Sequence, residues 1–267
     1  MKRMILVAVL AVAIAPAAAL ASTSDQSSAS KDCAALQAKI GTTAFNQAYS
    51  SFGACVSRFA PLEQNNTASA NTTCSAQQAD ANFAATHGGK TFDQFYGTGK
   101  SGKNAFGNCV STKAKASSQA EQQGRLNPAQ TCRAQRTSMG TATFNKTNGK
   151  NANDKNAFGK CVSTVAKAQN TNEVSASTVC KAEQSAANFA ASRGGKTFDQ
   201  FYGTNADQSN AFGKCVSTKA QAASTAQSQA TVSAAKACAA EQSAGVAAFT
   251  AKYGTFGKCV SSKASSK

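Results

Sequence analysis

A chain of 267 residues with no tryptophan, three methionines and 7% aromatic content cannot build one large aliphatic core. Twenty-eight basic residues against 12 acidic ones give a formal charge of +16, which draws the chain toward nucleic acid, anionic wall polymers or lipid headgroups and also serves solubility. Ten cysteines offer another source of stability, because an even number in an exported chain reads as a disulfide framework.

Residues 1–21 read as a secretory signal peptide, cleaved after Ala21. Lys2 and Arg3 precede an apolar run over residues 5–15, and Ala19 and Ala21 form a small-residue cleavage pattern. The run is shorter than the roughly 20 residues a membrane span needs, and no later stretch is apolar enough to serve as one. Loss of Lys2 and Arg3 lowers the formal charge from +16 to +14, so the expected secreted product remains cationic. Residues 22–31 read as a disordered N-terminal linker.

Five modules follow, at residues 32–62, 72–123, 128–170, 178–226 and 236–267. Each opens with a cysteine in a polar, Ala-rich stretch (Cys33, Cys74, Cys132, Cys180, Cys238) and closes with one inside Phe-Gly-x-Cys-Val-Ser (Cys55, Cys109, Cys161, Cys215, Cys259). Between them lies a phenylalanine followed four residues later by a tyrosine: Phe45 and Tyr49, Phe92 and Tyr96, Phe198 and Tyr202, Phe249 and Tyr253. The third module departs from this with Phe144 and Asn148. A shift of 106 residues superimposes the second module on the fourth, with 30 identities in the 44 positions from Cys74 and Cys180 onward. Such periodicity predicts an array of supersecondary units. Because both end modules carry both kinds of cysteine, the expected bridges lie within modules, closing loops of 21 to 35 residues. Each is worth about 3 to 4 kcal/mol by loop entropy.

Within the closing motif, Phe106, Cys109, Val110 and Ala114 fall on one helical stripe, with Asn104 at the N-cap position. Asn156, Asn210, Ser51 and Thr255 take that place in the other copies. The glycine after the phenylalanine, present in all five, points to close approach by a partner helix, the alternative being a left-handed turn with the helix starting later. Thr91 with Gln94, and Thr197 with Gln200, match capping boxes, while paired glycines at 88–89 and 194–195 stop the preceding helix. The predicted module is helix, short helix, helix, rich in Ala, Ser and Gln. Strand patterning is weak, so the fold class is all-α.

His87 is the only histidine, and the sister module has Arg193 in its place, so nothing supports a Ser-His-Asp or Cys-His arrangement. The closest cysteine neighbours are 19 residues apart, too far for clustered zinc ligands. We therefore assign no catalytic residue, metal or cofactor. The suggestive set is cationic: Lys160, Lys214 and Lys258 in the motif, and Lys113, Lys219 and Lys263 four residues after its cysteine. A ridge of these would attract polyanions through many salt-sensitive contacts. The expected function is that of a secreted, non-catalytic structural or binding surface for anionic envelope polymers or another extracellular protein. Its rivals are a nucleic-acid or other polyanion binder, and an effector or small enzyme with its site in the divergent third module.

Overall fold

Cys55 and Cys74 close bridges in different modules, yet one helix carries both. The computed structural model describes residues 21–99, 101–149 and 155–265. Its helices are α1 (Thr23–Ile40), α2 (Thr42–Tyr49), α3 (Phe52–Ala79), α4 (Phe83–Thr86), α5 (Phe92–Tyr96), α6 (Ala105–Gly124) and α7 (Pro128–Met139). They are followed by α8 (Thr141–Asn148), α9 (Ala157–Ser185), α10 (Phe189–Ser192), α11 (Phe198–Tyr202), α12 (Ala211–Ala244), α13 (Val246–Tyr253) and α14 (Phe256–Ser265). Among the described residues the only β pairing is an isolated bridge between Thr98 and Lys103. The chain is all-α, and all five disulfides lie within modules: Cys33–Cys55, Cys74–Cys109, Cys132–Cys161, Cys180–Cys215 and Cys238–Cys259. Every cysteine is at most 1% exposed.

The expected signal peptide falls almost wholly on residues 1–20, outside the described residues. Residues 22–31 are a correction: they form the cap and first turns of α1 instead of a disordered linker. The cause is a capping box, in which Ser22 Oγ accepts from the Asp25 amide and Asp25 accepts from the Ser22 amide. Thr67 Oγ1 donates to Asp25 Oδ1 at 2.7 Å and ties this turn to α3.

The stretches between modules are mostly helical too. Residues 63–71 lie within α3, 171–177 within α9 and 227–235 within α12. None contains Gly or Pro, so nothing interrupts propagation. At a rise of about 1.5 Å per residue, the 19-residue spacing on α3 and α9 sets two bridges about 28 Å apart along one rod. The exception is the second junction, where α6 ends at Gly124 and Pro128 opens α7 behind the Asn127 cap. Arg125, stranded in that break, turns into the interior.

Four long helices form a ring in which α3 packs on α6, α6 on α12, α12 on α9, and α9 back on α3. Apolar clusters therefore cross module boundaries. One joins Leu36, Phe45 and Phe59 of the first module to Phe189, Phe212 and Val216 of the fourth. Another joins Phe144 and Val162 of the third to Phe249 and Val260 of the fifth. The second module keeps a small cluster of its own around Phe83 and Phe92.

Small residues let α6 and α12 interlock. A methyl group added at Gly213 would overlap the Ser117 backbone, its Cα at 2.6 Å, and one added at Gly124 would meet Ser217. The close approach expected at the motif glycine thus occurs at Gly213, whereas Gly53 and Gly107 face open space. Opposite outcomes follow for sister positions. Gly107→Ala is expected to be neutral or stabilising by up to about 1 kcal/mol, since it only removes helix-interior backbone entropy. Gly213→Ala is expected to cost about 2 kcal/mol or more, because two backbones must separate. Urea unfolding of both variants checks the difference in sign.

The capping boxes at Thr91 and Thr197 form as expected, and Gly88, Gly89, Gly194 and Gly195 adopt positive φ. Ser51 caps α3 through its side chain, whereas Asn104, Asn156 and Asn210 hold the N-cap position without a side-chain cap bond. Asn210 instead turns its amide onto the Thr204 backbone N–H and hydroxyl, bracing the preceding loop.

Candidate functional site: a polar groove beside a sealed charged core

The six lysines expected to form a ridge are divided by the fold. Lys219 donates to Glu183 at 2.8 Å and Lys263 to Glu241 at 2.6 Å. Lys113 is 3% exposed, its Nζ has no hydrogen-bond partner, and burial lowers its pKa while Asp199 and Asp207 pull it back. Lys160 lies in a groove, Lys214 is half-buried and Lys258 is exposed.

The difference between Lys113 and Lys219 has a local cause. Three residues after the opening cysteine, the fourth and fifth modules place Glu183 and Glu241. Each accepts from the module tyrosine, Tyr202 at 2.8 Å and Tyr253 at 2.9 Å, as well as from its lysine. The second module has Gln77 there, which still accepts from Tyr96 at 3.0 Å but offers no charge to Lys113. Lys113 turns toward the fourth module instead. The first module replaces the set with Leu36, Tyr49 and Phe59, all buried.

An open groove of about 930 Å³ lies between α2, α8, α9, α12 and α14. Its walls are hydroxyls and amides such as Gln47, Ser163, Thr231 and Ser261, small apolar residues, and the two cations Lys160 and Lys167. Among the described residues no carboxylate lines it.

On the inner side of α3 and α9 the charges are sealed. Arg125 donates a fork to Glu173 at 2.7 and 2.8 Å, lies 3.9 Å from Asp32, and covers the Phe59 ring at 4.7 Å. Gln122 donates to Asp32 at 2.6 Å, Ser118 to Glu63 at 2.6 Å and Asn66 to Glu121 at 3.1 Å. These four carboxylates are at most 3% exposed. Burial, reinforced by Asp32, pushes the Glu63 carboxyl up to about 8, and burial together with Glu63 raises Glu121 well above the usual carboxylate range. Burial raises Glu173 as well, against the pull of Arg125. Among the described residues no group of carboxylates, histidines or cysteines has the arrangement of a metal site.

This core implies a pH dependence of stability. Glu63 and Glu121 hold protons in the fold that the unfolded chain releases above about pH 4.5. Raised folded-state pKa values mean that the native state binds more protons in this window, so unfolding free energy falls as pH rises. Stability should therefore drop by on the order of 2 to 4 kcal/mol between about pH 5 and about pH 8. Denaturant midpoints across that range check it, and an increase toward pH 8 would contradict protonated interior carboxyls.

Sequence reasoning passed over Arg125, Asp32, Glu63, Glu121 and Glu173, since single acids scattered over polar helices carry no motif. The available signal was the helix break around Arg125, flanked by Gly124 and Pro128. His87 stacks on Phe83 at 3.7 Å, and its sister Arg193 covers Phe189 and Phe201, so this position shields an aromatic cluster. Set against known proteins, the chain matches no family model, no curated protein and no solved structure.

Proposed function

We propose that this protein is an exported, non-catalytic binding protein whose cationic exterior holds an anionic polymer of the cell envelope. The observation that carries the reading is the sorting of charge. Among the described residues, five carboxylates (Asp25, Asp32, Glu63, Glu121, Glu173) are buried, against only two basic side chains (Lys113, Arg125). Folding thus withdraws negative charge from solvent and leaves an exterior more cationic than the formula. Fully oxidised cysteines fit an extracellular protein, as the signal-peptide pattern implies. Among the described residues no helix is long and apolar enough to cross a membrane. The groove gives a polymer a path past Lys160 and Lys167 that no carboxylate of the described residues lines. The interior carboxyls lie too deep to serve a polymeric substrate, which favours binding over catalysis.

The test is retention on immobilised polygalacturonate and polyphosphate across salt. Binding at about 20 mM salt that weakens steeply and linearly on logarithmic axes supports the reading. Reversal of two cations, Lys160→Glu with Lys167→Glu, should lower the slope by about one to two. Absence of binding at low salt, or duplex DNA held more than about tenfold tighter than either polymer, would overturn it.

A further inference from the structure

The third module lacks its tyrosine, and the fold keeps the space. In the second, fourth and fifth modules the tyrosine hydroxyl donates to the residue three places after the opening cysteine, as Tyr96 does to Gln77, Tyr202 to Glu183 and Tyr253 to Glu241. The third module retains the acceptor, Gln135, but presents Asn148 where the ring would start. The short Asn148 side chain turns back and donates to the Phe144 carbonyl at 3.1 Å. A cavity of about 70 Å³ lies here, lined by Gln135, Asn148, Cys161 and Val165, the counterparts of the acceptor, the tyrosine, the closing cysteine and the lysine four residues after it in the second, fourth and fifth modules.

Its polar atoms are incompletely satisfied. Gln135 is 5% exposed and donates to Ser228 at 2.9 Å, but among the described residues its Oε1 has only Cys161 Sγ, at 3.5 Å, within hydrogen-bond distance. That sulfur is in a disulfide and has no hydrogen to give. Gln169, 3% exposed, also lines the cavity, and neither atom of its amide has a partner. Buried groups left without a partner cost about 1 to 3 kcal/mol each, so a group that pairs with them gains that much. Asn148, Thr164, Gln227 and Thr231 belong to both this cavity and the wide groove, so the two are continuous.

We propose that this cavity binds a small phenolic acid. Its 4-hydroxyphenyl ring takes the place of the missing tyrosine, its hydroxyl donates to Gln135 Oε1, and its carboxylate tail lies in the groove near Lys160 and Lys167. The cavity has about half of the roughly 150 Å³ that encloses a benzene, so the outer edge of the ring sits in the groove mouth. A tailed ring fits this shape better than a free one.

Calorimetric titration of the intact, oxidised protein with 4-hydroxyphenylacetate tests the proposal. Saturable 1:1 binding is expected, with phenylacetate at least about tenfold weaker because Gln135 then stays unpaired. Asn148→Tyr, which supplies the ring from the chain itself, should abolish binding and preserve or raise the thermal midpoint. Val165→Phe fills the same space from α9 and serves as the second blocking variant. Four results would overturn the assignment: no saturable binding, equal binding of phenylacetate, binding undiminished in both variants, or a Gly-Tyr-Gly peptide bound as tightly as the acid. Polymer retention is read separately on wild-type protein, so failure here is distinguishable from failure of the polymer reading.

Discussion

Reduction of the five disulfides is expected to unfold this protein at room temperature in buffer without denaturant. The bridges close successive loops with sequence separations of 22, 35, 29, 35 and 21 residues, none overlapping another. Each removes about 3 to 4 kcal/mol of chain entropy from the unfolded state, on the order of 15 kcal/mol in all. That equals or exceeds the net stability of an ordinary domain, about 5 to 15 kcal/mol. The sulfurs are also core atoms, present in all three apolar clusters beside Phe, Val and many Ala residues. Far-UV circular dichroism before and after dithiothreitol reads the outcome, with thiol alkylation to confirm complete reduction. A cooperative helical fold that survives with every thiol alkylated would show that packing alone suffices. Replacing single pairs should grade the effect. Cys180→Ala with Cys215→Ala, in the cluster shared by the first and fourth modules, should cost more than Cys74→Ala with Cys109→Ala in the small separate cluster.

Arg125→Met is expected to destabilise the oxidised protein by about 3 to 5 kcal/mol near neutral pH. The substitution is close in volume and keeps an apolar contact with Phe59, so the loss comes from charge. Glu173 loses both donors of its fork, and Asp32 loses its cationic neighbour, while both stay 3% exposed or less. Arg125 itself shows the mutual dependence: burial works against its charge, and Glu173 and Asp32 more than restore it. Adding Glu173→Leu should recover much of the loss, since an apolar replacement of a whole buried pair is often neutral or better. Acidification should also recover part of it, because the unpaired Glu173 carboxyl then takes up a proton in the folded state and the penalty for burying its charge disappears. Urea unfolding at about pH 5 and about pH 8 measures both. A loss under about 1 kcal/mol at pH 8, or no recovery in the double variant, would mean that water reaches this cluster.

How much of this was legible in the chain differs from element to element. Disulfide pairing was, because each module owns one cysteine of each kind; in the fold Cys74, Cys180 and Cys238 lie in the last two turns of α3, α9 and α12 and bridge to cysteines in the first two turns of α6, α12 and α14. The capping boxes at Thr91 and Thr197 were too, since they are satisfied by residues three apart. The Ser22 box was equally local and was overlooked in a stretch whose composition reads as disordered. The cationic ridge was not recoverable, because equivalent lysines meet different partners. Glu183 captures Lys219, while Gln77 releases Lys113 into the interface with α11 and its neighbouring loop. The cavity at Asn148 was half legible: the departure from tyrosine is plain, but only packing shows that no other described residue fills the gap.

By itself the sequence determined what depends on near neighbours: helical elements, their caps, the five modules and the sulfur links within each. Only the tertiary structure decided which modules share a core, that α6 and α12 touch through Gly213 and Gly124, and that Arg125 meets Glu173 across 48 residues. The reason is range. Hydrogen bonds within a turn and loops of a few dozen residues are set by spacing along the chain. The ring of four helices depends on which weakly apolar, Ala-rich faces and which buried charges find complements, and spacing does not encode that.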